Sequence, residues 1–262
     1  MQTEIERELA TLGGKSSSIV IRLEEASPKE LVSINPEQRF PAASLAKVPI
    51  LVEVARQVEF GMLAWDTRYS IPAHAHVASC GVLADLNADL RLTLRNLAHL
   101  MIAISDNTAS NILLDIVGME AVNVTMHQLG LYETRIERHF MDDAARKAGQ
   151  ENWTTAGDMA LLLSFFCADV LPGRDEMLKM LLRQNDNDTL PAYWSGEIPY
   201  AHKTGELAGV VHDAGILNPP YPQPATQLPL IIVVMTAEQN DVPLTRYTMA
   251  RIGRIILHNE QR

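Results

Sequence analysis

Apolar positions recur along this chain with two different periods, and the changes of period divide it into blocks. Residues 2–12 carry a charged helical pattern that stops at Gly13-Gly14, and Ser18-Ile-Val-Ile-Arg-Leu23 then reads as a strand. A second strand is predicted around Glu30 to Ile34, closed by a turn at Asn35-Pro36. From Ser44 to Gly61 the period becomes helical, with Ile50, Val54 and Val58 on one face. Pro49 cannot donate to the carbonyl of Leu45, so irregular geometry or a kink is expected there. Residues 66–90 form a less regular connection, Thr93 can cap a helix through Ile104, and a further helix is expected from Thr108 to Val117. Gly118 and Gly130 bracket another. Thr155-Ala-Gly-Asp158 reads as the capped start of a helix over Met159 to Ala168, and one more spans about Asp175 to Arg183. Strand character returns only at Tyr200–Gly205, Val210–Leu217 and Leu228–Thr236, before a terminal helix from Leu244 to Leu257.

Strands at both chain ends with helices between them imply an α/β protein of the α+β type. Residues 1–41 and 195–262 would form an antiparallel sheet flanked by terminal helices, and residues 42–194 an inserted all-helical lobe. A chain of 262 residues with 47% hydrophobic content can bury the core such a pair of lobes needs. Acidic residues outnumber basic ones 32 to 22, giving a formal charge of −10 with no basic patch, which excludes a nucleic-acid partner. The longest apolar run, Leu228 to Met235, suits a buried strand rather than a membrane span. The two cysteines, Cys80 and Cys167, form no CxxC, and the opening Met1-Gln-Thr-Glu-Ile-Glu-Arg-Glu has no apolar signal core, so a reduced, cytoplasmic setting is expected. The chain is expected to be a monomer.

Ser44-Leu-Ala-Lys47 opens the most apolar helix, Val48-Pro-Ile-Leu-Val52 following directly. Residues three apart share a helix face, so the Ser44 hydroxyl and the Lys47 amine can meet. An amine kept neutral by burial or by another cation can take a serine proton, and a helix N-terminus can stabilise an oxyanion. Roughly one Ser-x-x-Lys is expected by chance in a chain of this size. Two further triplets change the weight of that match. Ser105-Asp106-Asn107 lies where one helix ends and the next begins, and Lys203-Thr204-Gly205 lies at a strand end. Alone, the first is a capping turn and the second a hairpin corner; the three in this order form the signature of acyl-serine enzymes.

With these triplets, with Asn107-Thr-Ala-Ser-Asn-Ile-Leu-Leu-Asp115 and with Leu129-Gly-Leu-Tyr-Glu-Thr-Arg-Ile-Glu-Arg138, the chain resembles the class A β-lactamases and penicillin-binding proteins from about Ile19 to its terminal helix. The resemblance implies an active site in a cleft between a sheet lobe and a helical lobe, a small-molecule acyl substrate (β-lactam, amide or ester), and no cofactor or metal. It implies Ser44 as nucleophile, Lys47 as base or relay, and Ser105 as the group that passes the proton to the leaving nitrogen. Asn107 would bond the substrate's side-chain amide, Lys203 and Thr204 of the Lys203-Thr204-Gly205 strand its carboxylate, and the N–H groups of Ser44 and Glu206 the oxyanion.

One element of the pattern departs. The family's deacylating glutamate belongs two residues after Arg138, where this chain has Phe140; Asp142, Asp143 and Glu151 could substitute only if the loop folds differently. If Glu206 to Gly209 is a four-residue turn, Gly205 pairs with Val210 and Lys203 lies opposite His212, which would place an imidazole at the site as base or carboxylate ligand. His74, His76 and Cys80 lack a fourth metal ligand. The functional alternatives are a hydrolase of β-lactams or related amides and esters that, lacking the glutamate, either turns over slowly, prefers esters or uses another base, and a penicillin-binding acyl trap or D,D-peptidase-like protein without efficient deacylation.

Overall fold

The computed structural model describes residues 1–24, 27–72, 75–77, 80–87, 89–196, 198–222 and 227–260. Five antiparallel strands form the main sheet: β1 (Lys15–Leu23), β2 (Pro28–Ile34), β7 (Tyr200–Leu207), β8 (Val210–Leu217) and β9 (Leu230–Ala237), in the order β2-β1-β9-β8-β7. β1 thus pairs with β9, the last strand, which closes the ends of the chain on each other around everything between. Small two-stranded ribbons join β3 (Arg39–Pro41) to β6 (Trp153–Thr155) and β4 (Arg68–Ser70) to β5 (Arg91–Thr93).

Both faces of the sheet are covered, so β8 and β9 are buried along their whole length and show no polar alternation. On one face Val20, Val32, Ile232 and Val234 pack with Ile5 and Leu9 of α1 (Gln2–Leu9) and with Met249, Ile252 and Ile256 of α9 (Val242–Glu260). On the other, Ile19, Ile231, Val233 and Met235 join the larger core of the helices. Those helices are α2 (Lys47–Glu59), α3 (Leu94–Ala103), α4 (Asn107–Val117), α5 (Met119–Gln128), α6 (Asp143–Lys147), α7 (Ala156–Cys167) and α8 (Arg174–Leu181). Several start where capping chemistry places them: Thr93 accepts from the Asn96 amide, Asp106 from Ala109 and Thr155 from Asp158. Among the described residues no helix is long and apolar enough to cross a membrane.

Two local expectations are corrected. The Ser44 segment does not enter an α-helix directly: Ala43–Ala46 is a 3₁₀ turn, and α2 begins at Lys47. Pro49 then falls in the first turn of α2, where no N–H has an intrahelical partner, so the helix passes through it unbroken. The second correction concerns the β7–β8 hairpin. Its loop is Ala208-Gly209, with Leu207 paired to Val210, because Gly209 takes a φ of +71° that a tight turn needs. Gly205 therefore pairs with His212, and Lys203 with Ala214.

Beyond α8 the chain makes a single turn at Leu190–Tyr193 that seats on α9, where the Trp194 indole donates to the Gly253 carbonyl at 3.0 Å. A Cβ on Gly253 would stand 1.9 Å from the Leu190 carbonyl oxygen, which is backbone and cannot swing away. Gly253→Ala should therefore destabilise the protein by about 1–3 kcal/mol, read as a fall in the thermal midpoint. An unchanged midpoint would show that α9 is not pinned at this point.

Candidate active site

Three elements meet at the open edge of the sheet. The 3₁₀ turn presents Ser44, the junction between α3 and α4 presents Ser105 and Asn107, and β7, the edge strand, presents Thr204 and Glu206. They line a cleft of about 860 Å³ that is closed on its remaining side by Phe140, Met141, Asp143, Glu151 and Asn152. Gly205 explains how β7 comes so close to the serine: a Cβ there would lie 3.2 Å from the Ser44 nitrogen and 3.2 Å from the Ala43 side chain. Backbone strain sits on both sides of the contact, since Ala43 and Ser105 hold φ values of +48° and +58°. Such conformations cost about 1–3 kcal/mol each in a non-glycine residue and persist only where packing imposes them.

The hydroxyl oxygens of Ser44 and Ser105 are 2.8 Å apart, and the Lys47 amine lies 2.8 Å from the Ser105 hydroxyl. Lys47 also donates to the Ser105 carbonyl at 2.7 Å and to the Asn107 amide oxygen at 2.8 Å. The link from Ser44 to Lys47 thus runs through Ser105 rather than directly along the helix face. Lys47 is fully buried, and burial first, then the positive charge of Lys203, hold its pKa well below the usual lysine range. Lys203 is buried too, beneath the cleft floor, with its amine on the Thr204 carbonyl at 2.8 Å. Burial lowers its pKa to about 8, against the opposing charges of Asp186 and Asp213. An alcohol, a second alcohol and a buried amine of lowered basicity therefore form one continuous proton path.

A family model described as the β-lactamase enzyme family matches residues 1–259. The chain belongs to that family. It is 27% identical to the β-lactamase AST-1 of Nocardia asteroides over 233 residues, 84% of this chain and 72% of that protein. Its fold is similar to that of a β-lactamase from Sphaerobacter thermophilus, at 29% identity and a TM-score of 0.87, covering 99% of this chain and 97% of that one. It is equally similar, at 25% identity and a TM-score of 0.87, to a leucine-to-glutamate variant of PBP-A solved as an acyl-enzyme complex with penicillin G, with 99% and 96% of the two chains covered. The protein is thus a serine hydrolase of the class A β-lactamase family, and its sheet with terminal helices plus helical lobe is that fold.

In this β-lactamase-family cleft, Phe140 faces the buried amine: its ring centroid lies 4.7 Å from the Lys47 nitrogen. Asn111 on α4 fixes it there, accepting from the Phe140 amide at 2.8 Å and donating to its carbonyl at 3.1 Å. Of the three acids considered in the sequence, Asp142 caps α6 through Ala145, Asp143 is exposed at the cleft rim, and Glu151 lines the cleft but is clamped by Arg138 at 2.6 and 2.8 Å. The expectation for His212 is overturned. Its Nε2 lies 2.8 Å from the Pro41 carbonyl oxygen and its Nδ1 is occupied by the backbone of Val211 and Thr236. The ring is fully buried against Phe40, does not line the cleft, and burial lowers its pKa to about 4, so it braces β3 against the sheet. Of the triad weighed as a metal site, His74 lies outside the described residues, and among those described no group of three potential metal ligands occurs. Cleft residues the sequence did not single out are Gln184, Asp186 and Arg246; the polar run Asp186-Asn-Asp-Thr189 just ahead of β7 was the available signal.

Since Lys47 can take a proton only when neutral, acylation should fall as pH drops through its lowered pKa. Replacing Lys203 by alanine removes one cause of that lowering, so the acid limb of the rate profile should move to higher pH and acylation near pH 7 should slow by about tenfold or more. An acid limb at the same pH in both proteins would contradict the coupling of the two amines.

Proposed function

We propose that the protein acylates itself at Ser44 with a β-lactam or a related amide or ester, and that release of the acyl group is its slow step. In its neutral form, which burial and Lys203 favour, Lys47 draws a proton from Ser105 as Ser105 receives that of Ser44, and the serine oxygen attacks the carbonyl. The N–H groups of Ser44 and Glu206 hold the resulting oxyanion, a placement supported by the close approach of β7 at Gly205 and by its position at the sheet edge. As the carbon–nitrogen or carbon–oxygen bond breaks, the proton returns from Lys47 through Ser105 to the departing atom. Asn107, while accepting from Lys47, lines the cleft beside the acyl chain.

The observation that carries the slow release is the aromatic ring over Lys47. Phe140 takes the place in which the family's water-activating glutamate is expected, and a ring can neither orient a water nor take its proton. Glu151, another acid of the cleft lining, has one oxygen held by the Arg138 guanidinium at 2.6 and 2.8 Å. Acylation is thus fully equipped and hydrolysis is not, so the protein behaves as a slow hydrolase whose acyl-enzyme accumulates.

Mixing the protein with an excess of a chromogenic cephalosporin should give a rapid burst of about one equivalent, followed by slow turnover, with a mass adduct on Ser44 that outlasts the burst. Ser44→Ala should show neither burst nor adduct. Phe140→Glu should shorten the adduct's lifetime by about 10²-fold, the rate that a positioned general base contributes. Steady turnover without an accumulating adduct in the wild type would overturn slow release, and an intact burst in Ser44→Ala would overturn the nucleophile.

A further inference from the structure

The charges along the cleft are already satisfied by one another. Three guanidiniums line it, Arg138, Arg146 and Arg246, against four carboxylates, Asp143, Glu151, Asp186 and Glu206. Arg138 and Arg146 both pair with Glu151, while Arg246 pairs with Asp186 and Glu206. Among the described residues no guanidinium of the lining is therefore left uncommitted, and the lining sums to one net negative charge.

The arrangement at the Lys203-Thr204 end is the most specific. Arg246, rising from the first turns of α9, donates from its two terminal nitrogens to the two oxygens of Asp186 at 3.1 and 3.2 Å, the forked geometry that guanidinium makes with any carboxylate. Asp186 is not a loose side chain. Its amide and that of Asn185 are held by the Gln184 side-chain oxygen at 3.2 and 3.0 Å, Asn185 also donates to the Ala103 carbonyl at 2.9 Å, and the buried Gln184 ties itself to the Ile102 carbonyl at 3.2 Å. Beneath it, Asp186 is the foremost of the negative charges that offset burial at Lys203. Burial acts to raise the Asp186 pKa, but bonding by Arg246, with smaller help from the Asp188 amide and the Thr204 hydroxyl, holds it below the usual range. An ionised carboxylate of the protein's own thus faces one guanidinium, one ammonium and one hydroxyl.

We propose that Asp186 is a built-in carboxylate occupying the anion-binding end of the cleft, and that the preferred acyl donors are uncharged where penicillins and cephalosporins carry their carboxylate. This rests on the acyl-serine reading above and narrows its substrate class to neutral esters and amides. An incoming carboxylate must either displace Asp186 from the Arg246 fork or lie beside it as a like charge. A neutral group makes neither demand and leaves the ion pairs intact.

The test compares a chromogenic cephalosporin with its own methyl ester at the ring carboxylate, measuring the second-order rate of Ser44 acylation by each and the mass of the adduct. The wild-type protein should acylate with the ester at least about tenfold faster than with the acid. In Asp186→Asn the ratio of the acid rate to the ester rate should rise about tenfold or more, because any change that the lost charge makes at Lys203 and Lys47 acts on both probes alike. The wild-type comparison needs no variant, so it decides even if Asp186→Asn folds poorly. Labelling of Ser44 by both probes with the acid preferred, or an acid-to-ester ratio that Asp186→Asn leaves alone, would overturn the role of Asp186 while the acyl-serine reading stands. Failure of both probes to label Ser44 would overturn that reading and this inference with it.

Discussion

A fully buried lysine amine that, among the described residues, bonds to no carboxylate is the constraint from which the rest of the site follows. A charged ammonium in that position is costly to bury, and Lys203 nearby adds to the cost, so the amine is pushed toward its neutral form. Three oxygens, two from Ser105 and one from Asn107, surround it at 2.7–2.8 Å, and none of them supplies a full countercharge. Asp106, next to both, spends its carboxylate instead on the amides of Val82, Leu83 and Ala109. The polypeptide accepts a left-handed conformation at Ser105 so that this one residue can offer the amine both its carbonyl and its hydroxyl.

The loop from Arg138 to Asn152 lines one side of the cleft and brings Phe140 over the amine. Asn152 receives the amides of Glu137 and Arg138 on its side-chain oxygen, and Asn111 holds Phe140 by both backbone groups, so the aromatic ring is fixed by polar contacts rather than by chance packing. The π face of Phe140 lies over the amine and stabilises whatever positive charge the amine acquires. In the proposed mechanism this ring stands where a carboxylate would be needed to activate water against the acyl-serine. At the opposite end of the cleft, Arg246 joins the terminal helix to β7 and to the loop before it, so the sheet lobe contributes charge balance as well as backbone.

Much of this was legible in the sequence, and the failures have physical causes. The caps at Thr93, Asp106 and Thr155 are local chemistry and appeared where side-chain type places them. Ser44, Lys47, Ser105, Asn107 and Thr204 carry a spacing signature, and the fold brings them together. The helix start was misplaced because Pro49 looks disruptive until the 3₁₀ turn before Lys47 puts it in the first turn of α2. His212 was misassigned because hairpin register depends on which residue takes the positive φ, and Glu-Leu-Ala-Gly admits a loop of two residues or of four. Asp186 and Arg246 lie 60 residues apart in sequence, and nothing local announces that a helix start and a loop will share a carboxylate–guanidinium pair.

The central claim concerns the ionisation of two buried amines, and it can be read directly. Nitrogen and carbon chemical shifts of the lysine side chains, followed through a pH titration and assigned with Lys47→Arg and Lys203→Arg variants, report each amine separately. The expected result is one lysine titrating near pH 8, assigned to Lys203, and Lys47 titrating well below the ordinary lysine range. Both amines remaining charged to the pH at which exposed lysines lose their protons would contradict the account.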